Sequence, residues 1–184
     1  ASCLDEFQRK QSVIKRQLRD WPNCRTGETS ALVAKQVYMR ESPTNPLEEP
    51  FMYAGDLSPA DCFDALENDL MAVLIDVRTP PEWYFVGQPK VTRMANISWK
   101  VFPNMMVNPD FEQQLRQAGV TEDHKIYFLC KTGGRSAEAA MAMTQAGFTQ
   151  CFNVANGFDG DQNEQGQRGS VNGWKASALP WAQQ

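Results

Sequence analysis

Two short apolar runs constrain this chain more than any other feature: MAVLIDV, Met71 to Val77, and KIYFL, Lys125 to Leu129. The first reads as a buried strand and the second as a short β-prone run, and each is framed by helix signals. Ahead of MAVLIDV, the stretch LSPADCFDALEND offers Ser58 as an N-cap and Pro59 at the first helical position. Behind it, TPPEW makes a turn or short helix and MANISW, Met94 to Trp99, another strand. In NPDFEQQLRQAG, Asn108 caps a helix, Pro109 starts it and Gly119 ends it. After KIYFL comes the helix former SAEAAMAMTQAG, and CFNVANG, Cys151 to Gly157, is expected to close the sheet. Strands alternating with helices indicate parallel βα units, hence an α/β fold with a central, mostly parallel sheet flanked by helices. A glycine-punctuated loop leads to a terminal segment ending in LPW, where Trp174 and Trp181 are expected to seal the core.

The stretch SPTNPLEEP, Ser42 to Pro50, carries three prolines in nine residues and reads as a linker, dividing the chain into 1–50 and 51–184. Upstream, Leu4, Phe7, Gln11, Ile14, Leu18 and Trp21 recur at alternating spacings of three and four, the seam of an amphipathic helix. Its other faces are basic, with Arg9, Lys10, Lys15, Arg16 and Arg19. Such a helix packs on its own domain, self-associates or meets a protein partner. Periodicity leaves SALVAKQVYMR, Ser30 to Arg40, open between helix and strand.

A chain of 184 residues with 42% apolar content can build a real core. Its net charge of −4 argues against nucleic acid or an anionic membrane surface as the main partner. No apolar run approaches the ~20 residues of a membrane span, and no secretory signal pattern is present, so a soluble, cytoplasmic protein is expected. Five cysteines, Cys3, Cys24, Cys62, Cys130 and Cys151, make an odd set without a CxxC pair. That suggests neither a disulfide framework nor a zinc site, and no cofactor is called for. Cys62 in its helix and Cys151 in its strand are read as buried thiols.

Cys130 is different, because it stands between KIYFL and the alanine-rich helix in FLCKTGGRSAEAA. Strand-to-helix turns of an α/β sheet lie where ligands bind, and a helix start offers free N–H groups and partial positive charge. A free thiol is only a few per cent ionised near neutral pH, and a helix N-terminus with nearby cations raises that share. Lys131 and Arg135 supply the cations, while Gly133 and Gly134 let the backbone turn its amides inward as an anion-binding nest. The pattern points to a nucleophilic cysteine. The sole histidine, His124, lies in the polar turn TEDHK and reads as a solvated loop residue, which removes the base of a Cys-His protease.

Taken together, VLIDVRTPPEWYFVG, IYFLCKTGGRSAEAAMAMTQAGF and FNVANGFDG with GWKASALPW resemble a single-domain rhodanese, the thiosulfate sulfurtransferase family, over about residues 51–184. The resemblance implies a rhodanese-like three-layer fold, preceded here by the N-terminal helical extension. It implies Cys130 as the sulfur-carrying nucleophile and Lys131, Thr132, Gly133, Gly134 and Arg135 as the loop that binds an anionic sulfur donor. Asp76 and Arg78 would flank that loop as a supporting pair with Glu82, a structural ion pair being the simpler account of these three. A thiolate attack on thiosulfate or a similar donor would leave a persulfide, which a thiol or cyanide acceptor would then discharge.

Two alternatives stay open. The same fold serves as an interaction or regulatory module in which the thiol is absent, and the presence of Cys130 with both glycines and both cations speaks against that. Cysteine phosphatases use a C-x5-R loop; here Cys130 to Arg135 is C-x4-R, one residue shorter, which suits a sulfur atom better than a phosphoryl group.

Overall fold

The computed structural model describes residues 52–183. The Leu4-to-Trp21 seam, the SALVAKQVYMR segment, the proline-rich stretch, Cys3 and Cys24 all lie outside the described residues. In chain order the elements are β1 (Gly55–Leu57), α1 (Pro59–Asn68), β2 (Ala72–Asp76), α2 (Pro80–Val86), β3 (Gln88–Pro89), β4 (Met94–Asn96), β5 (Lys100–Val101) and β6 (Met106–Val107). Then follow α3 (Phe111–Gln117), β7 (Lys125–Leu129), α4 (Gly134–Gln145), β8 (Cys151–Val154), α5 (Gly173–Ala176) and β9 (Trp181–Ala182).

Five strands form one sheet in the order β1-β8-β7-β2-β4. Every pairing in it is parallel. Parallel strands are buried on both faces, and β7 shows how this sequence meets that demand. Ile126 and Phe128 face one core with Ile75, Phe111, Leu115, Ala139 and Phe148. Tyr127 and Leu129 face the other with Cys62, Leu66, Leu74, Phe158 and Trp174. The sheet is therefore the middle of three layers, with α3 and α4 on one side and α1 and α5 on the other. Phe128 and Leu129 are both fully buried, each worth about 1.5–3 kcal/mol of apolar transfer.

Local signals explain most boundaries. Ser58 caps α1, its Oγ accepting the Asp61 N–H at 3.1 Å, and Pro59 follows in the first turn. The far end of α1 is closed from a distance. Arg93 donates to the carbonyls of Leu66, Asp69 and Ala72, setting a cation against the negative pole of the helix.

Several expectations need correction. First, β8 does not close the sheet, because β1 pairs along its outer side, Gly55 with Phe152 through Leu57 with Val154. Second, α3 starts at Phe111 and not Pro109. Asn108 accepts the Asp110 N–H at 3.0 Å and donates to the Ser98 carbonyl and to Gln114, which holds residues 108–110 in a turn ahead of the helix. Third, α4 begins at Gly134, two residues before Ser136, so Arg135 and Ser136 belong to its first turn. Trp174 is fully buried as expected, whereas Trp181 is 40% exposed and lies edge-on to Phe158 beside β3.

Candidate active site

Alternation along β7 decides where the thiol points. Cys130 continues the 126–128–130 face, so it joins the core under α4 and comes to rest below that helix's first turn. There its Sγ accepts a hydrogen bond of 3.1 Å from the Gly133 N–H, and the Ser136 hydroxyl lies within donating distance, also 3.1 Å away. Gly133 can present its amide this way because it holds φ at +103°, a left-handed conformation that favours glycine. Cys130 is only 1% exposed, while the loop residues Lys131, Thr132 and Gly134 are exposed. The sulfur thus sits at the bottom of a turn whose outer residues meet solvent.

The turn is backed by a second segment. The Phe158 N–H donates to the Cys130 carbonyl at 2.8 Å, and the Asp159 N–H to the Lys131 carbonyl at 3.0 Å. This approach requires glycine at 157: a Cβ there would lie 2.4 Å from the Cys130 oxygen and 2.7 Å from the Thr132 nitrogen. With the Cys130 and Lys131 carbonyls engaged by this segment, the loop is fixed with the Gly133 amide turned toward the sulfur.

Both arginines carry carboxylate partners, but not in the arrangement expected from the sequence. Arg78 is fully buried and donates Nε and Nη2 to Asp76, at 2.9 and 2.6 Å, with a further bond from Nη2 to the Gly87 carbonyl. Its guanidinium also lies 4.1 Å from the centre of the Phe158 ring, behind the thiol-bearing turn. Glu82 is not part of that pair. It accepts both Nη groups of Arg135, at 2.9 and 2.7 Å, and also the N–H and hydroxyl of Thr79, at 3.0 and 2.8 Å. Burial pushes the Glu82 carboxyl up, yet Arg135 and Thr79 outweigh it and hold it down to about 2. The start of α2 is thereby fastened to the start of α4.

Ser136 is the site residue that sequence reasoning missed. The available signal was a hydroxyl placed to fall in the first turn of a helix whose preceding strand ends in cysteine. The two other described thiols are free and sit elsewhere: burial pushes Cys62 up, and pushes Cys151 up to about 11 against a hydrogen bond with Thr144. His124 Nδ1 accepts the Thr121 N–H within its own turn. Among the described residues no cluster of His, Cys, Asp or Glu could hold a metal ion, and no helix is long and apolar enough to cross a membrane.

The Rhodanese-like domain family matches residues 58–164, a span holding the Cys130 turn and both ion pairs. The chain belongs to this family. It is 32% identical to the uncharacterized protein RC0915 of Rickettsia conorii over 131 residues, covering 71% of this chain and 98% of that one. Among solved structures, Rv0390 from M. tuberculosis is similar at 36% identity with a TM-score of 0.65, covering 72% of this chain and 99% of its own. The probable adenylyltransferase/sulfurtransferase MoeZ of Mycobacterium tuberculosis is 31% identical over 102 residues, 55% of this chain and 23% of MoeZ. The three-layer architecture agrees with that membership, which supports a sulfur-transfer role in general.

Proposed function

We propose that this rhodanese-like chain is a thiosulfate-type sulfurtransferase that carries sulfane sulfur as a persulfide on Cys130. The observation that carries the reading is the pair of 3.1 Å donors, Gly133 N–H and Ser136 O–H, aimed at Sγ from the head of α4. Such donors stabilise a thiolate in a site shielded from water. The Cys130 thiolate attacks the outer sulfur of thiosulfate, the S–S bond of the donor breaks, and sulfite leaves with the electron pair. The terminal sulfur of the new persulfide carries the negative charge. An attacking cyanide or thiolate takes that sulfur, and the electron pair of the Cys130 S–S bond returns to Sγ. No external oxidant or reductant is needed in either half.

Lys131 supplies positive charge for an anionic donor, since among the described residues it has no ion-pair partner and it is exposed. Arg135 contributes through the N–H groups that Glu82 leaves over. A cytoplasmic setting suits the reading, with three described cysteines held as free thiols.

Mixing the purified protein with excess thiosulfate should add one sulfur atom to the Cys130 peptide by mass spectrometry, and cyanide should remove it as thiocyanate. Cys130→Ser should abolish both steps with the fold intact. Retained transfer in that variant, with loss in Cys62→Ser or Cys151→Ser, sinks the assignment. Inserting one glycine between Gly133 and Gly134 makes a C-x5-R loop and should weaken persulfide retention.

A further inference from the structure

The Ser136 hydroxyl has two acceptors and one proton. Its Oγ stands 3.1 Å from Cys130 Sγ and 3.0 Å from the Gly133 carbonyl oxygen. A hydroxyl can donate to only one of them at a time. The Gly133 carbonyl does not depend on it, because the Ala137 N–H already reaches that oxygen at 3.1 Å. Ser136 is fully buried, so no water competes for the hydroxyl. The donor is therefore free to follow the charge on the sulfur without leaving a carbonyl orphaned.

We propose that Ser136 is a catalytic donor that turns from the Gly133 carbonyl to Cys130 Sγ whenever that sulfur becomes anionic, and that it acts chiefly on persulfide discharge. The inference rests on the persulfide reading above. In the resting thiol, Ser136 donates to Gly133. In the thiolate it donates to Sγ. In the persulfide the charge has moved to the outer sulfur, Sγ is a neutral bridging atom, and the hydroxyl turns back. On discharge Sγ is the leaving group and regains the electron pair, and the hydroxyl turns to it again.

The two half-reactions respond differently to the same donor. Stabilising a thiolate enlarges the ionised fraction but weakens each anion as a nucleophile, with a Brønsted slope of about 0.4–0.5. These effects partly cancel when Cys130 attacks the donor. They do not cancel in discharge, because a better stabilised sulfur simply leaves faster.

The test is stopped-flow single turnover on Ser136→Ala and Ser136→Thr. The first variant removes one oxygen from a buried site and is expected to fold, which thermal melting verifies. In Ser136→Ala, persulfide preloaded with thiosulfate should discharge to cyanide about ten-fold more slowly, whereas charging should slow only about three-fold at pH 7 and recover at alkaline pH. Ser136→Thr should restore discharge. Iodoacetamide alkylation of sulfur-free Cys130 gives a readout independent of sulfur transfer: its pH profile should move to higher pH in Ser136→Ala and converge with wild type at the alkaline end. Persulfide that forms normally in Ser136→Ala, with discharge and alkylation profiles unchanged, overturns the inference and leaves Ser136 as a helix-start residue bonded to the Gly133 carbonyl. An altered alkylation profile in a protein that never gains sulfur keeps Ser136 as a thiolate donor, but refutes its role in discharge together with the sulfurtransferase reading. Equal slowing of charging and discharge at every pH also overturns it.

Discussion

Two arginine–carboxylate pairs stand near the thiol, alike in chemistry and unlike in what they hold. Asp76 and Arg78 are neighbours in sequence, both 0% exposed, and close a loop at the end of one strand. Glu82 and Arg135 come from separate βα units, are 22% and 16% exposed, and join α2 to the turn that carries Cys130. Breaking the first pair leaves a bare charge in the core; breaking the second loosens a joint between two elements. A short sequence separation here marks a piece of scaffold, and a long one marks a link to the candidate site.

The comparison can be broken most decisively at Arg78. Arg78→Ala should destabilise the protein by about 3–5 kcal/mol, because it leaves Asp76 buried without its cation. Urea denaturation measures the loss, and a change below about 1 kcal/mol would place Arg78 outside the scaffold.

The second effect is a pH dependence. The Glu82 carboxyl is held from its usual 4.5 down to about 2 in the folded protein. A depressed carboxyl contributes stability above its unfolded value, and that stability is lost as pH falls through the folded one. Between pH 4.5 and 2 the pair should give up on the order of 3 kcal/mol, and Glu82→Gln should remove that share of the acid limb. Equal acid limbs in the two proteins, followed by circular dichroism, would contradict it. The same variant frees Arg135 from its carboxylate, so its KM for thiosulfate should fall two- to five-fold relative to that for an uncharged persulfide donor.

The smallest effect separates the pairs by salt. Raising NaCl from 0.1 to 1 M shortens the Debye length from about 10 to 3 Å, which should weaken the partly exposed Glu82–Arg135 pair by a few tenths of a kcal/mol. Asp76–Arg78 should not respond. Double-mutant cycles at the two salt concentrations resolve this, and equal responses would mean that burial does not distinguish the pairs.

Legibility followed the range of the interaction. KIYFL became β7 with the expected bounds, and Ser58 with Pro59 opened α1, because apolar runs and caps act within a few residues. The three-residue β1 is too short to carry a period and exists through its pairing with β8, almost a hundred residues away. Asn108 looks like a cap, yet its amide is drawn to the Ser98 carbonyl by a neighbour that only folding supplies. The Cys130 turn was readable from its glycines and cations. Glu82 was grouped with the nearer arginine, since charge identifies a class of partner and the fold selects the individual. Ser136 went unnoticed because a serine before a helix reads as a start signal, and its bond to the sulfur depends on a helix that begins two residues earlier.

The glycine at 157 also sets an order in time. Cys130 leaves the ribosome well before the segment that backs its turn, and at ~5–20 residues per second the chain from Cys130 to Gly157 takes about one to five seconds to make. During that interval the thiol is present without the Phe158 and Asp159 amides that fix its loop. The buried, loop-held form of this sulfur therefore exists only once residues 157–159 have been made.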